Sequence, residues 1–72
     1  MKRGMIERHL MEAEQHVALG EKHIARQHEI IAELQRDGHD ITQATELLAV
    51  FEESQLLHVA DRDRIREELR SV

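Results

Sequence analysis

Histidine is the residue type through which this 72-residue chain could do chemistry: there are six, His9, His16, His23, His28, His39 and His58. Three of them, His9, His16 and His23, recur every seven residues. On a helix, seven residues advance about 10.5 Å along the axis. Successive members of that stripe therefore cannot share one metal ion, whose imidazole ligands sit about 2 Å from it. A metal pair on one helix needs a spacing of three or four residues, because only those positions are neighbours on its surface. Only His9 with Glu12, and Glu12 with His16, meet that spacing. His9, Glu12 and His16 are thus the candidate metal ligands, and they form an incomplete set. The Glu-x-x-His pair that di-iron helical bundles carry is absent. The plainer expectation is that the stripe flanks a core, apolar ring inward and polar edge toward water or Glu. No cofactor is expected.

Other chemistries have less support. There is no Cys, which excludes disulfides and thiolate zinc sites. The chain has no nucleophile–base spacing, no Gly-rich phosphate loop and no paired acids flanking a cleft, so no catalytic residues and no enzyme are expected. Net charge is −5, which argues against general nucleic-acid binding. Residues 24–53 hold two basic residues, Arg26 and Arg36, against seven acids, and the rest of the chain balances. Arg62, Arg64, Arg66 and Arg70 alternate with Asp61, Asp63, Glu67 and Glu68. That pattern predicts a solvated, ion-paired helix face rather than a phosphate-binding stripe.

The elements that position these side chains are legible from apolar spacing. Leu10, Val17, Ile24 and Ile31 form one line, and Ile6, Ala13, Gly20, Gln27 and Leu34 form a second beside it. Steps of three and four residues make one face of a long helix that lies along another. This predicts helix 1 over about 5–36, with residues 1–4 frayed. Asp37-Gly38-His39-Asp40 is the one strong break. Gly38 suits the left-handed position past a helix end. Asp40 suits an N-cap, with Gln43 in the capping-box position. The turn is therefore 37–40, and helix 2 covers about 41–70. Its matching line is Ile41, Ala44, Leu48, Phe51, Gln55, His58, Arg62, Ile65 and Leu69.

The expected fold is all-α, a single domain over 1–72 shaped as an antiparallel two-helix hairpin with a coiled-coil seam. Folding about Gly38 sets facing residue numbers to a sum near 78. Gly20 then faces His58, Gln27 lies near Phe51, and Ala13 faces Ile65. Gln27, Gln55, His58 and Arg62 form a polar layer of the core, a device that fixes register. Leu19, Ile30, Val50, Leu56, Leu57 and Val59 fall off the seam. A helix apolar on more than one face is buried on more than one side, so these six are the candidate dimer interface of a four-helix bundle. One aromatic, Phe51, is too little to anchor a globular core, and a chain this small without disulfides or metal is usually helped by self-association.

No apolar run approaches the roughly 20 residues a membrane span requires, and Met1 to Arg8 is too charged for a signal-peptide core. A cytoplasmic protein with no membrane partner is expected. The segment His28-Glu29-Ile30-Ile31-Ala32-Glu33-Leu34 resembles the phospho-accepting box of histidine kinase dimerisation domains, themselves hairpins that pair into four-helix bundles. Ala32 replaces the polar residue usual there, and the following Pro is missing. A wider resemblance rests on His23-Ile24-Ala25-Arg26-Gln27, Asp37-Gly38-His39-Asp40, Phe51-Glu52-Glu53 and His58-Val59-Ala60-Asp61-Arg62-Asp63-Arg64. These are similar to short uncharacterised helical-hairpin proteins of alphaproteobacteria, which implies a bacterial cytoplasmic origin and transfers no functional residue. The leading functional expectation is an oligomeric interaction or scaffold module, a homodimer with a further protein partner. The alternatives are a small-molecule or metal-binding bundle using the His, and a histidine phosphotransfer protein.

Overall fold

Long uninterrupted helices follow from the absence of Pro and from two apolar stripes that must bury each other. The computed structural model describes residues 2–72 and contains two α-helices, α1 (Lys2–Arg36) and α2 (Thr42–Arg70), packed along each other as a hairpin. The expected fraying covers residues 1–4, of which Met1 lies outside the described residues. Lys2, Arg3 and Gly4 are helical, which corrects the expectation. The Arg3 side chain donates to Glu7 one turn on, at 3.1 Å, and Gly4 is too isolated to break the first turn.

Every position of the two α1 lines and of the matching α2 line is buried or half-buried. The most enclosed are Ile6, Ala13, Val17, Gln27 and Ile65. Ile6, Ala13 and Ile65 form the tightest apolar cluster, with Leu10 and Leu69 against it. It lies at the open end of the hairpin, away from the turn. Each fully buried Val or Ile side chain contributes about 1.5–3 kcal/mol, so a handful of them leaves a thin core.

The turn closes α1 with both hydrogen bonds of a Schellman motif. The His39 N–H donates to the Leu34 carbonyl at 2.9 Å, and the Gly38 N–H to the Gln35 carbonyl at 3.2 Å. Gly38 has φ +76°, the left-handed conformation that a Cβ disfavours. On the other side, the Asp40 carboxylate accepts from the Thr42 N–H at 3.0 Å and from the Thr42 hydroxyl at 2.7 Å. Asp40 thus ties down the first turn of α2 from two residues back. Helix α2 begins one residue later than expected: its N-cap is Ile41, with no side-chain cap bond, so Asp40 lies one residue before the cap, and Gln43 makes no reciprocal bond to Asp40 among the described residues.

Candidate functional site

The two buried glutamine amides of the seam cross between the helices at separate levels rather than in one layer. Gln27 is buried, and its side-chain amide donates to the Ala44 carbonyl of α2 at 2.8 Å. Gln55 does the converse, donating from α2 to the Val17 carbonyl of α1 at 2.9 Å. Each helix therefore lends one amide to the other's backbone. Gly20 makes room for this: a Cβ there would collide with the Gln55 amide. The Gln55 Oε1 is buried without a hydrogen-bond partner. It rests against the bare Gly20 backbone, where only a weak C–H donor is present.

This corrects the expected register. Gly20 faces Gln55, not His58; Gln27 donates to Ala44 and borders one recess with Phe51, as expected, and Ala13 and Ile65 share one cluster, also as expected. His58 instead stacks against His16, with ring centroids 5.6 Å apart and planes inclined by 48°. His23 stacks against Phe51 at 5.7 Å and 37°. Arg62 is half-buried, and its guanidinium turns to the neighbouring Asp63 carboxylate. The polar layer of Gln27, Gln55, His58 and Arg62 is thus distributed over four levels of the seam.

The hairpin has two edges, and different chemistry lines each. On one, Ile24, Glu52, Gln55, Leu56 and Val59 border an open, mainly apolar groove. The Arg66 guanidinium bonds Glu14 across the helices on this side, at 3.5 Å. Heptad spacing adds Met11, Ala18, Ala25 and Ala32 to this edge. On the other, Gly20, His23, Phe51, Ser54 and His58 surround a second recess. Leu19, Val50 and Leu57 are exposed and lean to that second side by the same spacing, while Ile30 is half-buried there. The six interface candidates are therefore divided between opposite edges. Helical geometry explains this, since Leu56 and Leu57 are adjacent in sequence and some 100° apart around α2.

Among the described residues no three of His, Cys, Asp and Glu come together as a metal cluster. His9, Glu12 and His16 are exposed and do not gather into such a group of three. Sequence reasoning missed the His16–His58 pair because it set the facing register about four residues too high. The basic run of α2 is ion-paired: Arg64 bonds Asp61 and Glu68, with its pKa raised chiefly by Asp61, and Arg70 pairs with Glu67 at 3.4 Å. No helix among the described residues is long and apolar enough to cross a membrane. Comparison with protein-family models, with curated proteins and with solved structures gives no match.

Proposed function

We propose that this hairpin is one half of a homodimeric antiparallel four-helix bundle, a non-catalytic interaction module that a second copy of the chain completes. The observation that carries this reading is its surface. The chain exposes 5600 Å², whereas a compact monomer of 8.4 kDa exposes about 4,600 Å². The excess of roughly 1,000 Å² is close to the ~800 Å² that each partner buries in a standard interface. The groove of Ile24, Leu56 and Val59 is where the second copy docks. Ala18 and Ala25 beside it let another helix approach closely, and Leu56, 73% exposed, fills the gap between the two hairpins.

Sedimentation equilibrium tests this. Wild type is expected to be a dimer at micromolar concentration, Leu56→Glu a largely unfolded monomer, and Leu57→Ser still a dimer. A wild-type chain that stays monomeric and folded throughout that range would rule the bundle out, leaving the apolar groove to a different protein.

A further inference from the structure

We propose that His16 and His58 form a two-ligand site for a divalent transition-metal ion, Zn²⁺, Ni²⁺ or Cu²⁺, that bridges α1 and α2. The pair contributes one imidazole from each helix, with centroids 5.6 Å apart. An imidazole nitrogen binds Zn²⁺ at about 2.0–2.1 Å, which puts its ring centroid roughly 3.2 Å from the ion and two tetrahedral ligands roughly 5.2 Å apart. The observed separation is within half an ångström of that. The 48° inclination of the rings is no obstacle, because the second side-chain torsion of His is broad and turns the ring at little cost.

Nothing among the described residues competes for these nitrogens. Among the described residues neither imidazole makes a hydrogen bond or an ion pair. His16 is exposed and His58 half-buried, so an ion enters from solvent. An open recess bordered by Gly20, His23, Phe51 and Ser54 lies beside His58. With no third carboxylate or imidazole in place among the described residues, the remaining coordination positions belong to water or to an external donor. Imidazole selects Zn²⁺, Ni²⁺ and Cu²⁺ over Mg²⁺ and Ca²⁺, which prefer oxygen. The site is on the edge opposite the apolar groove, so it stands or falls independently of the dimer.

An ion held by both helices binds only the folded hairpin and raises its melting temperature. Thermal unfolding with millimolar Ni²⁺ or Zn²⁺, above neutral pH, is expected to shift upward by several degrees, and with Mg²⁺ not at all. The shift is expected to vanish in His16→Ala and in His58→Gln and to persist in His9→Ala and His39→Ala. Because His16 is exposed, its variant keeps the fold whatever His58→Gln does to the seam. Native mass spectrometry is expected to count one ion per chain. No shift in wild type, a shift that survives His16→Ala, or one ion per two chains would each overturn the proposal.

Discussion

Gly20 and Gln55 illustrate how one absent atom decides a contact. Replacing a mid-helix Gly by Ala ordinarily gains about 1 kcal/mol of helix stability. Here the new Cβ would occupy the space of the Gln55 amide, which must swing away and give up its bond to the Val17 carbonyl, worth about 0.5–1.5 kcal/mol net. The two terms nearly cancel, so Gly20→Ala alone is expected to bring no gain in stability. In a Gln55→Ala background the same substitution is expected to stabilise by about 1 kcal/mol. Chemical denaturation of the four proteins of that cycle should give a coupling near 1 kcal/mol, and additive effects would show that the amide is not held in the Gly20 notch. That Gly20 leaves a groove was readable from the spacing of the small residues. Which side chain fills it was not, because periodicity names the seam positions and leaves their axial pairing open.

At the scale of the element, the turn carries two separable devices. Gly38 sits at φ +76° with nothing near its missing Cβ, so strain there is purely conformational. Gly38→Val is expected to cost about 1–2 kcal/mol, seen as a lower melting temperature, and Gly38→Asn less, since Asn tolerates that region. The Thr42 backbone N–H, and then its hydroxyl, hold the Asp40 carboxyl below its ordinary pKa. A carboxyl depressed in the folded state contributes stability above the unfolded pKa, near 4, and loses it as pH falls through the folded value. Wild type should therefore melt above Asp40→Ala at neutral pH, with the gap closing under acid, and a gap that is constant with pH would deny the carboxylate this role. The turn was legible because each of its residues has a conformational preference. The descent of the non-helical segment His39–Ile41 has no such signature. It displaces α2 by about one helical turn, roughly 5 Å, from the level that a facing sum near 78 gives. The early start of α1 was missed for a simpler reason: chain ends are expected to fray, yet Lys2, Arg3 and Gly4 are helical and Arg3 bonds Glu7.

The whole molecule is a rod of 55 × 14 × 12 Å with a radius of gyration of 16.5 Å, against about 11 Å for a compact 72-residue domain. A rod of two helices has no interior beyond its seam, which is why no side chain among the described residues is fully enclosed. If pairing supplies the missing burial, the melting temperature must rise with protein concentration, and a concentration-independent melt would contradict the bundle. The apolar residues off the seam were visible in the sequence, and their division between two edges follows from their angles around each helix, some 100° per residue. That register has a further consequence through Gln55. If α2 slid by one heptad, its amide would meet Ala13, which has a Cβ, or the bulk of Gln27, in place of Gly20. The α1 line therefore works as a lock with a single notch, and it would act in the same way between chains. Were two hairpins to open and exchange their second helices, Gln55 of each would find the one gap in the other chain. A domain-swapped dimer would then keep the register of the closed hairpin, and the swap would be invisible at the level of the seam.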